Sequence, residues 1–285
     1  MPTEQHDPRN RLHCMEVQGG HGTDSQFFRR PGLDVWIWNQ SRQDAKVEGG
    51  DIHYVSSCAS GRITRMLMAD VGGVNNHFAD VACRLRDVMV RNINAIAQSS
   101  AVRQMTAQLD STSQQGGFAS VLLSTFFAPT RSWTVCNAGH PPPLLYQSVK
   151  GEWAALKPLS SELPPAADYA GNVDVSEYQN FKLRLDAGDM FFCYSNSLTE
   201  CRQSNGRMMG VEGIRSLVQR LSESSNPELA LNELILTIRD AHQDNLCTQD
   251  ATVMLSRVTP TRVSLRDNFL APFRFIRGAN DRTSL

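Results

Sequence analysis

From Leu33 onward the chain alternates short runs of β-branched and aromatic residues with stretches that carry a helical period. LDVWIW (33–38) and RITRMLMA (62–69) have the length and composition of strands. Between Phe78 and Ile96 the residues Phe78, Val81, Leu85, Val88, Met89, Ile93 and Ile96 fall on one helical face, which predicts a helix over 78–96. FASVLLSTFF (118–127), SWTVC (132–136) and PLLY (143–146) are separated by turn residues and predict an antiparallel meander. A Pro/Ala/Ser-rich connection, 158–171, leads to NFKLRL and DMFFCYS, with Asp186-Ala187-Gly188 between them as a hairpin turn. A helix over 211–221 follows. Asn226 as N-cap, with Pro227 at the first position, opens another whose face is Leu231, Leu234, Ile235 and Ile238. TVMLSRV (252–258) is the closing strand.

This pattern bounds one domain over 33–258. Residues 1–32 are polar and Gly-rich with no period, and predict a flexible leader; 259–285 interleave five arginines and two acids with phenylalanines as a basic-aromatic tail. Composition narrows the class further. Hydrophobic residues make up 41%, and mean hydropathy is -0.33, ordinary globular values. The 28 basic and 29 acidic side chains nearly cancel, which argues against a general nucleic-acid binder. No apolar run approaches the ~20 residues of a membrane span, and the polar N-terminus does not resemble a signal peptide, so the cytoplasm is the expected compartment. Seven scattered cysteines form no C-x-x-C pair and read as reduced residues.

Candidate chemistry lies in acids at strand ends, because hard divalent cations take carboxylate and carbonyl oxygens together with water. Four segments qualify: Gly49-Gly50-Asp51, Ala69-Asp70-Val71-Gly72-Gly73, Tyr194 to Glu200, and Gln249-Asp250-Ala251-Thr252. Singly, each reads as a turn or cap. In order, EGGD (48–51), ADVGGVN (69–75), NAGHPPPLLY (137–146), YSNSLTE (194–200) and QDAT (249–252) resemble the motifs of the SpoIIE-type branch of the metal-dependent protein phosphatases, the protein phosphatase 2C superfamily. The resemblance spans roughly 33–258, and NAGHPPPLLY is its most specific part.

The resemblance implies an α+β fold, an αββα sandwich of two antiparallel sheets flanked by helices. It further implies a site for two divalent cations, Mn2+ or Mg2+, that activates water for in-line attack on phosphoserine or phosphothreonine without a covalent enzyme intermediate. The implied substrate is a phosphorylated protein, an anti-sigma-factor antagonist by family habit, and a homodimer is compatible with it. Carried over residue by residue, Asp51 serves the second metal, Asp70 bridges both, and the Val71 carbonyl completes the second site. At the first metal the family's two aspartates are Asn196 and Gln249 here, with Asp250 adjacent as a substitute. On a strand, neighbours point to opposite faces, so that exchange requires a backbone shift. Loss of two charges leaves two readings open, a competent phosphatase and a binding-only pseudophosphatase. His140 reads as a structural histidine in a Pro-rigidified turn, and His53 and His77 as packing or surface residues. Cys201 to Arg207 matches C-x5-R, but Glu200 and the Ser-Asn-Gly within it favour a plain hairpin turn over a thiolate phosphate loop.

Overall fold

A computed structural model of the chain describes residues 16–42, 49–57, 61–72, 78–114, 118–156 and 179–261. Among these residues two six-stranded sheets are formed, every pairing antiparallel. The first runs β1 (Val17–Gly20), β4 (Gly49–Ser57), β5 (Ile63–Gly72), β6 (Phe118–Phe127), β7 (Ser132–Ala138) and β10 (Gln179–Arg184). The second runs β2 (Asp24–Arg30), β3 (Leu33–Gln40), β12 (Ala251–Val258), β11 (Met190–Tyr194), β8 (Leu144–Gln147) and β9 (Glu152–Ala155).

The period of two sorts each strand between cores. In the first sheet Ile52, Tyr54, Leu67, Ala69 and Leu123 face the helices α1 (Phe78–Arg91) and α2 (Ser99–Gln114), meeting Leu85, Met89 and Met105. Val55, Met66, Met68 and Leu122 point the other way and meet Val35, Ile37, Phe191, Cys193 and Met254 of the second sheet. The far face of that sheet, with Trp36, Phe192 and Leu255, lies under α4 (Gly210–Glu223) and α5 (Pro227–Ala241). A short helix, α3 (Asn196–Glu200), follows β11. The architecture is the αββα sandwich that the resemblance implied. Strands covered on both faces explain why their sequences read as nearly continuous apolar runs.

Several local expectations are corrected. The helix predicted over 78–96 ends at Arg91; Ile93 remains buried, whereas Ile96 is 63% exposed. The stop has a cause on β5, where the buried Arg65 guanidinium takes the carbonyls of Asn92 and Ala95, groups that a further helical turn would have used. Helix α2 has no counterpart in the sequence reading, because its text is mostly polar; among its described side chains Ala101, Val102, Met105 and Thr106 are buried. The stretch assigned to a leader contains β1 and β2 from Val17 to Arg30; they form sheet edges, where Val17 and Phe28 suffice for burial. Residues 1–15 lie outside the described residues. The expected meander holds only for β6 and β7, since β8 belongs to the other sheet. Likewise β10 and β11 are not a hairpin: Asp186-Ala187-Gly188 carries the chain between sheets, tied by Asp189, which accepts from the backbone N–H groups of Asp186 and Ser148.

The Asn226 cap is as expected, its Oδ1 accepting from Glu228 N at 3.1 Å and Leu229 N at 3.2 Å. Beyond β12, Thr259 N donates to Gly32 O at 3.0 Å, and Thr261 Oγ1 accepts from Gly32 N at 2.9 Å, so the first tail residues lie on the β2–β3 turn. The arginines of the tail lie outside the described residues. Among the described residues no helix is long and apolar enough to cross a membrane.

Candidate metal centre

At one end of the sandwich the inner faces of both sheets change from apolar to polar. Register places Asp51 opposite Asp70, and Asp70 opposite Ser120. The three side chains form one row, continuing the inward face that carries Val55, Met68 and Leu122 further down. The facing row comes from the second sheet. There Asn39 pairs with Thr252 across β3 and β12, Thr252 Oγ1 donates to Asn39 Oδ1 at 2.8 Å, and Thr252 N donates to Ser195 Oγ at 3.0 Å. Ser195 Oγ also lies 2.9 Å from Ser197 Oγ at the start of α3.

Electrostatics set this pair of rows apart from the rest of the core. Burial pushes the Asp51 carboxyl up to about 7, helped by the charges of Asp70 and Asp250 and opposed by hydrogen bonds with Ser195 and Thr252. The Asp70 carboxyl is pushed up to about 6 by burial and by Asp250 and Glu200, against an Asn196 hydrogen bond and the Arg42 charge. Asp51 Oδ2 is buried without a hydrogen-bond partner. Four acidic residues thus act on one another around the buried Asp51, with Asp70 and Asp250 half-buried and Glu200 at the exposed rim.

Among the residues singled out from sequence, Asp51, Asp70, Asn196 and Asp250 are brought together. Gln249 is turned aside: its Nε2 donates to Glu200 Oε2 at 2.7 Å. Asp250 precedes β12, so strand alternation does not constrain it, and no shift within a strand is needed for it to face the pair. Its Oδ1 accepts from Arg42 N at 2.6 Å. Its Oδ2 lies where a Cβ on residue 50 would stand, 1.7 Å away, which with a φ of +141° explains glycine at position 50. The Val71 side chain packs toward the helices, and its residue pairs with Gly50 at the strand end. Glu48, His77 and residues 73–75 lie outside the described residues. Sequence reasoning gave no role to Ser120, Arg42, Asn39 or Thr252. Strand alternation counted from Asp70 and Met254 would have placed Ser120 and Thr252 on the inward face.

Two other candidates are resolved by burial. Cys201 is 5% exposed, its Sγ donates to Ser197 O at 3.2 Å, and burial pushes the thiol up to about 11, so it is no thiolate. The Cys201–Arg207 segment is a hairpin turn closed by Gln203 N to Arg207 O at 2.8 Å and by an Arg202–Met208 bridge. His140 is buried and held neutral, its pKa lowered to about 4; its loop is fixed by Asn137, whose Oδ1 accepts from His140 N and whose Nδ2 donates to His140 O, both at 2.9 Å. His53, buried two positions below Asp51, is likewise lowered to about 4 by burial.

The donor set is oxygen-rich and carries an unpaired carboxylate oxygen, conditions that a hard divalent cation relieves. Among the described residues no three of His, Cys, Asp or Glu are gathered into a ready cage. That suits an ion that keeps several waters and takes one or two carboxylates better than it suits zinc.

Known proteins resemble this chain in sequence and in fold. The profile of the family described as Stage II sporulation protein E (SpoIIE) matches residues 60–259. The phosphoserine phosphatase RsbU of Bacillus subtilis (strain 168) is 26% identical over 143 residues, 48% of this chain and 40% of RsbU. The RsbU and RsbW domains of a Mycobacterium tuberculosis protein superpose with a TM-score of 0.63 at 18% identity, over 81% of this chain and 63% of theirs. RsbX in complex with magnesium superposes with a TM-score of 0.59 at 16% identity, over 83% of this chain and all of RsbX. The chain therefore spans well under two thirds of the RsbU sequence it matches.

Proposed function

The chain belongs to the SpoIIE family, and from that premise we propose that it is a divalent-metal-dependent phosphatase of phosphoserine or phosphothreonine on a regulatory protein. The observation that carries this reading is the inward Asp51–Asp70 pair, Asp51 buried and Asp70 half-buried, with the charge of Asp70 acting on Asp51 and one Asp51 oxygen left unpartnered. Asp51, Asp70 and the Val71 carbonyl would hold one cation. Asp70, Asp250 and the Asn196 amide oxygen would hold the other, with Gln249 engaged by Glu200 instead. Such cations activate water and offset the charge of a bound phosphate. The chain's own part is to present a desolvated carboxylate at Asp51 beside the Ser195 and Thr252 hydroxyls and to keep Asp250 against Gly50. RsbU's name supports a phosphoserine substrate. An anti-sigma-factor antagonist in partner switching within the cytoplasm is the partner we propose. Mn2+ and Mg2+ both fit the oxygen donors.

A second reading, a binding-only relative, is favoured by one observation: Asn196 and Gln249 bring no charge where the family's motifs carry aspartates, and Gln249 is already engaged. Hydrolysis of a phosphoserine peptide by the purified protein, with Mn2+, with chelator and after thiol alkylation, separates the two. Mn2+-dependent turnover that survives alkylation supports the phosphatase. No turnover in the wild type, with gain on combining Asn196→Asp and Gln249→Asp, supports the binding-only relative.

A further inference from the structure

Beside Asp70, Ser120 Oγ and Asp51 Oδ2 are buried without a hydrogen-bond partner, whereas the large majority of buried polar atoms in folded proteins have one. Ser120 stands directly opposite Asp70 on β6 and is 2% exposed. The His140 ring, on a residue 7% exposed, lies against the backbone of Met68 and Ser120 in one sheet and of Tyr194 in the other. Those contacts flank both rows: Met68 is two residues before Asp70, and Tyr194 precedes Ser195.

The loop that delivers the ring is built to do so. Asn137 closes it with its amide, including a 3.3 Å bond from Nδ2 to Pro141 O, and three consecutive prolines stiffen the exit. A neutral imidazole has one N–H and therefore satisfies at most one of the carbonyls around it.

We propose that Ser120 and His140 are positioning residues for Asp70: the Ser120 hydroxyl orients the carboxylate, and the His140 ring holds the β5, β6 and β11 backbones at the separation this requires. The inference rests on the metal-centre reading above. Outer groups that orient a ligating carboxylate typically carry about 10- to 100-fold in metal affinity.

The test measures Mn2+ binding, by the electron paramagnetic resonance signal of free Mn2+, together with apo thermal stability. It compares the wild type, Ser120→Ala, His140→Gln and the double variant. The expected result is Mn2+ affinity about tenfold weaker for Ser120→Ala with an unchanged or higher apo Tm, since an unpaired buried hydroxyl is removed. His140→Gln should weaken binding similarly, and the double variant should lose no more than the weaker single variant, because both act through one carboxylate. Wild-type Mn2+ affinity in Ser120→Ala, or losses that multiply in the double variant, overturns the inference and leaves the metal centre standing. Absence of Mn2+ binding in the wild type overturns both. A purely structural role would lower the Tm and leave the affinity in place.

Discussion

The buried carboxylates make an unusual relation between acidity and stability. In protein stripped of divalent cations by chelation, Asp51 binds its proton with a pKa of about 7, against 3.8 for the unconstrained side chain, and Asp70 with about 6. The folded chain then holds protons that the unfolded chain releases. The stabilisation is complete below about pH 4 and is lost as pH rises through the folded-state values, the reverse of the ordinary salt-bridged aspartate. Each proton is worth about 1.4 kcal/mol per pH unit. Between about pH 5 and pH 7.5, Asp51 alone accounts for about 2.5 kcal/mol, and relaxation of the site reduces this to about 2 kcal/mol. For a domain of this size that corresponds to about 4–8 °C in Tm. The assay is a pair of thermal melts across this range with chelator, on the wild type and on Asp51→Asn. Titrations common to both proteins cancel, and the difference isolates the carboxylate. Asp51→Asn should melt several degrees higher than wild type near pH 7.5, with the gap narrowing toward pH 5 and closing below about pH 4, and should gain less from added Mn2+. A difference that is flat with pH, or an Asp51→Asn protein that melts lower near pH 7.5, would refute the argument that these carboxylates are strained until a cation arrives.

Other substitutions test separate parts of the structure. Gly50→Ala introduces a Cβ on the Asp250 carboxylate at a φ of +141°; it should cost about 1–3 kcal/mol in urea denaturation and weaken Mn2+ binding, and a stability loss with intact affinity would remove Asp250 from the centre. Arg65→Met strips the donors from Thr125 and from the carbonyls of Asn92 and Ala95; about 2–4 kcal/mol should be lost, and an unchanged denaturation midpoint would contradict the stop it imposes on α1. Cys201→Ala should leave phosphopeptide hydrolysis within about twofold of wild type, whereas a loss of about tenfold or more would return the thiol to consideration.

The parts of this fold that were legible in the sequence are those where burial is two-sided. LDVWIW, FASVLLSTFF and TVMLSRV each lie inside a sheet with packing above and below, so most of their residues are apolar. Edge strands were illegible for the complementary reason: β2, DSQFFRR, buries Phe28 fully and leaves Asp24, Ser25 and Arg29 to solvent. Pairing was less legible than strand existence, since DMFFCYS has the same pattern whether its partner is the preceding strand or β12, 59–67 positions further along by register. In the site, motif order located Asp51 and Asp70. The exchange of Gln249 for Asp250 was not decidable, because it depends on β12 beginning one residue after Asp250 and on the space left by Gly50.

The place of β12 in the second sheet has a bearing on how the chain is made. This last strand lies between β3, near the start, and β11, and it is the sole bridge between the β2–β3 pair and the β11–β8–β9 group. During synthesis the β2–β3 pair must therefore wait, with the inward faces of Val35 and Ile37 uncovered by their sheet, until some two hundred further residues have left the ribosome. Closing such a distant pairing carries a loop-entropy cost that local contacts do not offset, so completion of the sandwich is slow and vectorial. Both Thr252 and Asp250 arrive with that strand, so the acidic centre takes shape in the same late event that joins the two halves of the sheet.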